Sequence, residues 1–211
     1  MDGTDTISAG CFKQAFLEVW GVLESTYDSR LVDWYVDNSA WSDFMLKGKE
    51  RGPTGGFVTA LCEAISRQLP HMRLRVDPER HRVDAFLRAL SDQEECYYND
   101  EYLVMIEHEN NRLSVHEEMW KLLHWRIPLK VLIFYDYAHA DRALPLNKGS
   151  WLEGCLVRLG DMSRRYRAAG HGDSYLLIVG SREQRDGRER IEWKFFEYRG
   201  TPGAESFLSM N

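Results

Sequence analysis

The sequence predicts an α/β protein, with a mixed central sheet flanked by helices in a single domain of 211 residues. Three observations indicate this fold class. Apolar residues recur at helical spacing in two N-terminal segments, and the pattern then changes to short strand-like runs. A strand, a helix and another strand follow over residues 101–135. Such a passage typically forms a right-handed parallel crossover.

Composition agrees with a folded protein that carries no membrane span. Hydrophobic residues at 44% and charged residues at 28% are ordinary globular values and argue against wholesale disorder. The longest apolar run, residues 131–135, is strand-sized and far short of the ~18 residues of a membrane helix. The start of the chain lacks the basic flank and apolar run of a signal peptide, and the four cysteines show no CxxC spacing. We therefore expect a cytoplasmic protein with reduced cysteines.

The N-terminal region, residues 1–52, is predicted to be a helical decoration. Its first helix is indicated over residues 12–23, where Phe, Val, Trp and Leu side chains recur at helical spacing. Residues 28–51 are mixed in character, so we expect irregular structure or short helices there. A break at residues 52–56 (GPTGG) precedes a second amphipathic helix over 57–69, which ends at a proline.

The core is predicted over residues 57–136, where strand-like runs follow the second helix. Residues 73–76 and 82–87 are typical of short strands around a turn at 77–79, and residues 101–109 indicate a longer, largely buried strand.

A third helix over residues 113–125, with Ser114 as its N-cap, is followed by LKVLIFY at 129–135, which is typical of a strand covered on both faces. A C-terminal region, 150–199, completes the sheet. Its predicted helix and two strands cover residues 151–168, 175–179 and 191–198.

Two glutamates at the end of the long strand carry the strongest chemical signal. Alternate side chains share a face of a strand, so Glu107 and Glu109 point the same way as the apolar Leu103 and Met105. Two carboxylates extending an apolar stripe repel each other and lose hydration unless something compensates them. A divalent cation such as Mg²⁺ is the natural compensation, since it prefers oxygen ligands.

Asp84 adds a third acid, inside the strand-like run at 82–87. A hairpin between this run and the long strand would bring Asp84 beside Glu107, where both could chelate one metal ion. Glu109 could then bind a second metal or orient the attacking water. The plainer interpretation is that all three are edge-strand charges in solvent.

This pattern resembles the PD-(D/E)XK nuclease superfamily, which has an Asp on one strand, (D/E)-x-Lys on the next, and then a helix and another strand. Here Asp84 is followed, after 22 residues, by Glu107-His108-Glu109, and the resemblance covers residues 57–136. It implies a restriction-endonuclease-like fold and Mg²⁺- or Mn²⁺-dependent hydrolysis of phosphodiester bonds in DNA. It also implies a homodimer, since many such enzymes pair.

The chain departs from the family pattern at the lysine, which is replaced by Glu109 as in the E-x-E subset of the family. Some members place the lysine on the following helix, which makes Lys121 a candidate. Others supply a further metal-shell glutamate from the preceding helix, which makes Glu63 a candidate. Both lie on the polar sides of their helices, a position also typical of solvated residues.

Other common sites are not indicated. His116 and His124 are eight residues apart, about 12 Å along a helix, too far to bind one zinc ion. The chain has no GxSxG, Walker-type or GxGxxG motif.

Nucleic-acid contact is indicated by basic residues, although the net charge is −6 and acids are interspersed. Two arginine groups stand out, one on a predicted helix and one on a predicted polar loop: Arg158, Arg164, Arg165 and Arg167, and Arg182, Arg185, Arg188 and Arg190. Two alternatives stay open. One is a nuclease-like module that has lost cleavage and binds nucleic acid or a protein partner. The other is an interaction protein whose acids are surface charges.

Overall fold

A computed structural model describes residues 6–80, 82–90, 101–111, 113–136, 148–167, 174–199 and 206–210. Its strands form one seven-stranded sheet in which spatial order follows chain order. The strands are β1 Leu74–Arg80, β2 Val83–Ala89, β3 Glu101–Glu109, β4 Leu129–Tyr135, β5 Ser174–Arg185, β6 Arg188–Arg199 and β7 Ser206–Ser209.

The sheet is mixed, which confirms the predicted α/β class. The first three strands pair antiparallel as successive hairpins. In the centre, β3, β4 and β5 run parallel, and β6 and β7 return antiparallel. The passage over residues 101–135 is therefore a parallel strand–helix–strand unit, as predicted.

Helices cover both faces of the sheet. The N-terminal layer consists of α1 Ala9–Tyr27, α2 Ser29–Val36, α3 Asn38–Ser42, a π-helical turn Asp43–Lys47 and α4 Gly56–Gln68. The C-terminal layer consists of α5 Val115–Leu123 and α6 Lys148–Arg167. Residues 28–51 thus form short helices, as expected. None of the helices in the described ranges has the length and apolar character needed to span a membrane.

Side-chain alternation divides the core between the two layers. On β3, Ile106 packs with the N-terminal layer, while Met105 packs with α5 and α6. The N-terminal layer is rich in aromatic contacts, among them Trp20 with Phe57 and Trp41 with Phe44. The sheet is consequently buried on both faces near its centre, and β4 is buried along its whole length, as predicted.

The predicted turn at residues 77–79 is wrong, because β1 continues through Asp77 and Pro78 to Arg80. Pro78 pairs with Ala85 of β2, and β1 is the first strand in the sheet order. Proline is tolerated in an edge strand, since its missing N–H can face away from the ladder.

The predicted polar loop over residues 182–190 is also wrong. The strands β5 and β6 continue to Arg185 and Arg188 and leave a two-residue turn. That turn, Asp186-Gly187, has positive φ at both residues (53° and 75°), which is the requirement of a type I′ hairpin turn. Strand β7 was not predicted.

Candidate active site

The antiparallel pairing of β2 and β3 brings Asp84 beside Glu107. Phe86 pairs with Met105 and Ala85 with Ile106, so the next position along each strand is Asp84 and Glu107. The backbone N–H of His108 donates a hydrogen bond of 2.7 Å to Asp84 Oδ2. The predicted juxtaposition of these two acids is therefore confirmed.

Glu107 is almost completely buried, with 1% of its surface exposed. Loss of hydration, reinforced by the charges of Asp84 and Glu118, raises the pKa of Glu107 to about 9. Its Oε1 accepts no hydrogen bond within the described part of the chain. Glu107 is therefore protonated at neutral pH unless a cation is added.

Burial also raises the pKa of Asp84, although the hydrogen bond from the His108 amide opposes the shift. The Glu107 carboxyl forms a side-chain hydrogen bond with Asp84, which likewise favours ionised Asp84. The two carboxyls therefore interact directly, and a cation between them would favour the ionised form of both.

Glu109 lies on the same side of β3 as Glu107 but is only half-buried. Its Oε1 accepts a hydrogen bond of 2.5 Å from the backbone N–H of Asn111. Desolvation raises the pKa of Glu109, with smaller contributions from the charges of Glu118 and Asp84. Glu109 therefore belongs to the same group of acids and keeps an approach to solvent.

Helix α5 adds a cation and a further acid. Lys121 Nζ lies 3.7 Å from Glu107 Oε1 and forms an ion pair with Glu118 Oε2. The same ammonium group donates to the backbone oxygen of Arg82, at 3.5 Å. Lys121 thus connects α5 to β3 and to the turn before β2.

The Lys121 ammonium remains protonated at this site. Burial lowers the pKa of Lys121, but the hydrogen bond to Glu118 and the charges of Glu107, Glu118 and Asp84 outweigh that effect and raise it. Sequence reasoning missed Glu118. The available signal was its position three residues before Lys121, a spacing at which helical side chains are neighbours.

The structure does not bring Glu63 to this group. Glu63 is exposed on α4, and α4 packs on the sheet through its apolar side as part of the N-terminal layer. Asp84 and Glu107 face the C-terminal layer instead, as the alternation along β2 and β3 requires. The expectation that Glu63 joins the metal set is corrected accordingly.

The acids fit a hard divalent cation by donor chemistry, since carboxylate oxygens suit Mg²⁺ and Mn²⁺. Glu107 Oε1 accepts no hydrogen bond from the described residues, so it could serve as a ligand if the Lys121 ammonium moved aside. In the same described ranges, no three His, Cys, Asp or Glu side chains converge closely enough to enclose a metal ion. Lys121 supplies the positive charge next to Glu107 in this arrangement.

His108 lies between the two glutamates in sequence but on the opposite face of the sheet. Its Nε2 is 2.6 Å from the hydroxyl oxygen of Tyr135. Burial lowers the pKa of His108 to about 3, so its ring is neutral. The side chain has no access to the acids, and only its backbone N–H serves Asp84.

Comparisons with known proteins leave the family open. No family model matches the chain, and neither does any curated protein. Among solved structures, the central domain of yeast acetyl-CoA carboxylase is similar at 10% sequence identity and a TM-score of 0.31. The similarity covers 70% of this chain and 26% of that one, so the chain spans about a quarter of its length. A similarity of this size bears on neither the fold nor the activity.

Proposed function

We propose that this protein is a metal-dependent nuclease of the PD-(D/E)XK type, which hydrolyses phosphodiester bonds in DNA. The observation that carries the proposal is the buried Glu107 carboxyl, which lies beside Asp84 and within 3.7 Å of the Lys121 ammonium. Desolvated acids next to a lysine are costly for a fold and typical of a catalytic centre.

The order of elements supports the proposal. Asp84 lies on β2 and the Glu107-His108-Glu109 motif on β3, and then α5 and β4 follow, which is the succession of the family signature. Within the observed α/β class, the proposal assigns the protein a restriction-endonuclease-like fold. The proposal also takes the protein to be cytoplasmic and to pair with a second copy, as many such enzymes do.

Each residue has a role that its surroundings support. Asp84 and Glu107 would hold Mg²⁺ or Mn²⁺, which would polarise the phosphate and lower the pKa of bound water towards ~7. Glu109, which is half-buried with access to solvent, would accept a proton from the attacking water. Lys121 would offset the charge of the reacting phosphate, in place of the missing E-x-K lysine.

A catalytically degenerate module is the second candidate. It is favoured by Lys121, whose ammonium lies 3.7 Å from Glu107 Oε1 and is ion-paired with Glu118, so positive charge is already present where a metal ion would bind. Such a protein would keep the fold and bind nucleic acid or a protein partner without cleaving it.

Calorimetric titration with Mn²⁺ or Mg²⁺, paired with plasmid cleavage, separates these candidates. We expect metal binding and cleavage in the wild type, and loss of both in Glu107→Gln and Asp84→Asn. Lys121→Gln should keep metal binding and lose most of the cleavage. Glu63→Gln is the matched control, since it removes one acid on the opposite face of the sheet and should change neither property.

Metal binding without cleavage in the wild type would favour the degenerate module. Absence of metal binding would overturn the site and leave an interaction protein whose acids are not ligands. Equal losses in Glu63→Gln and Glu107→Gln would show that the face we assign to the site is the wrong one.

A further inference from the structure

Helices α5 and α6 share a cluster of three rings near the candidate site, of which Trp120 and His124 are exposed and Tyr166 is half-buried. Trp120 is 48% exposed and, of the Phe, Tyr and Trp side chains that the structure describes, it alone is exposed to this degree. Its ring centroid lies 4.6 Å from that of His124 and 4.9 Å from that of Tyr166 on α6. An exposed tryptophan held by two neighbouring rings offers a rigid apolar face to solvent.

The ring cluster is held in place from within α5. His124 Nδ1 is 2.7 Å from the backbone oxygen of Trp120, so this nitrogen donates the hydrogen bond and the ring orientation is set. The third side of the triangle, from His124 to Tyr166, measures 5.6 Å. The cluster therefore spans both helices as one surface.

Two arginines of α6 lie beside this ring cluster. Arg158 lies three residues after Cys155, which is buried in the core shared with α5, so Arg158 flanks the packed side of α6. In agreement, burial and then the charge of Arg158 lower the pKa of His116 on α5. Arg165 follows two helical turns later and so projects from the same side of α6. Both arginines are exposed. Arg164, about 100° further around α6, is instead ion-paired with Asp161.

A short path connects this surface to the candidate site. Trp120 precedes Lys121 on α5, and Lys121 reaches Glu107 with a side chain that is 39% exposed. The two residues lie on adjacent sectors of the helix, about 100° apart. A strand whose phosphate met Lys121 could therefore continue across α5 onto the Trp120 ring.

We propose that the Trp120–His124–Tyr166 cluster, with Arg158 and Arg165, is a binding surface for single-stranded nucleic acid. Unpaired bases stack on the Trp120 ring and the phosphates lie against the two arginines. Every base has a flat π-face, so an aromatic surface of this kind accepts a strand without reading its sequence. This inference rests on the proposed function for its choice of ligand, and it names a substrate with a single-stranded flank.

The test is fluorescence anisotropy with a labelled oligothymidylate of about 20 nucleotides, longer than the ~4–16 nucleotides of single-strand sites. The full-length protein is measured in EDTA, where neither metal nor cleavage is required. We expect Trp120→Ala to weaken binding about tenfold, as loss of one stacked base does, and Trp120→Phe to retain most of the affinity.

The adjacent arginines supply a matched pair of variants. Arg165→Gln should weaken binding and reduce the slope of log affinity against log salt by about 0.7, the value for one phosphate contact to a single strand. Arg164→Gln removes the same charge one residue away and should leave binding unchanged. Circular dichroism checks that both variants are folded.

The proposal is overturned if the wild type fails to bind the oligonucleotide, or if Arg164→Gln and Arg165→Gln have equal effects. Equally tight duplex binding that is insensitive to Trp120→Ala also overturns it. If Trp120→Ala instead converts a dimer to a monomer in light scattering, the cluster is a protein interface. If the oligonucleotide binds through Trp120 but no DNA is cleaved, the nuclease proposal is contradicted and the binding surface is supported. If DNA is cleaved and Trp120→Ala changes neither binding nor cleavage, the binding surface is contradicted and the nuclease is supported.

Discussion

Two consecutive residues of β3 are buried in very different surroundings. Glu107 and His108 are 1% and 9% exposed and point to opposite faces of the sheet. His108 packs among aromatic rings, is hydrogen-bonded to Tyr135 and remains neutral. Glu107 lies beside Asp84 and Lys121 with one oxygen lacking a hydrogen bond.

The contrast shows where the fold accepts unbalanced charge. On the N-terminal face the buried polar group has a partner and carries no charge, which is the ordinary solution in a protein core. On the face of α5 several acids compete for one ammonium group. A fold maintains such a cost mainly where the charges serve a function, which is why we place the chemistry on this face.

The largest loss of stability is expected when a carboxyl group is introduced on the neutral, N-terminal face of β3. In His108→Glu an unpaired carboxylate would be buried among the rings around Tyr135, and we expect the free energy of unfolding to fall by at least about 4 kcal/mol. His108→Gln keeps a polar group there and should cost about 1 kcal/mol. Urea denaturation at neutral pH measures both. Similar losses in the two variants would contradict the contrast between the faces.

The pH dependence of stability should reveal the acid face. The pKa of Glu107 is raised from 4.5 to about 9, so the folded state binds more protons than the unfolded state between these values. Stability should therefore fall as pH rises through this window, by at most about 1.4 kcal/mol per pH unit from this carboxyl.

Glu107→Gln should remove much of this slope and be more stable than the wild type at about pH 8, as denaturant titrations at several pH values would show. Glu63→Gln, which changes the same charge on exposed α4, should keep the wild-type slope. If the free energy of unfolding of Glu107→Gln depends on pH as steeply as that of the wild type, other groups cause the pH dependence.

Removal of the Tyr135 hydroxyl tests the neutral face. In Tyr135→Phe the Nε2 of His108 loses a hydrogen-bond partner at 2.6 Å, and we expect a loss of about 1–2 kcal/mol. The loss should be independent of pH near neutrality, because the pKa of His108 lies far below. A loss that grows or shrinks across neutral pH would mean that this face also titrates.

The smallest effect is expected where the N-terminal layer meets the end of β3. Asn110 Nδ2 donates a hydrogen bond of 2.7 Å to Ser42 Oγ, at the end of α3. Ser42→Ala should lower the free energy of unfolding by about 0.5–1.5 kcal/mol. It should leave the pH slope unchanged, because the bond lies on the neutral side of the strand. A change in that slope would show that the two faces are coupled through Asn110.

Much of the fold follows from local patterns, and the misplaced elements have physical reasons. The long strand and LKVLIFY were predicted correctly because apolar runs and strand length agree there. The turn at residues 77–79 was predicted from Pro78, whose place in an edge strand depends on which strands pair. The hairpin turn Asp186-Gly187 was missed because its flanking residues are charged on both strands, without apolar alternation.

Within the candidate site, alternation along β3 and a predicted hairpin were enough to place Asp84 beside Glu107. On α5, Lys121 was a candidate only through the family resemblance, and Glu118 was missed. Lys121 and Glu118 lie off the apolar side of their helix, and only the packing of α5 on the sheet brings them to Glu107. Glu63 has the same local character, yet α4 packs on the other face.

The hairpin of β5 and β6 has a consequence for solubility. Pairing with β4 ends at Tyr135 and Gly180, while β5 continues to Arg185 and is bonded there to β6. Beyond Gly180 the outer edge of β5 has no strand partner among the described residues, and such an edge is a template on which other copies could add strands. Its side chains alternate in sign, with ion pairs from Arg182 to Glu189 and from Arg185 to Glu192. Strand addition would desolvate these charges, so they protect this edge of β5 from the addition of other copies and from fibre growth.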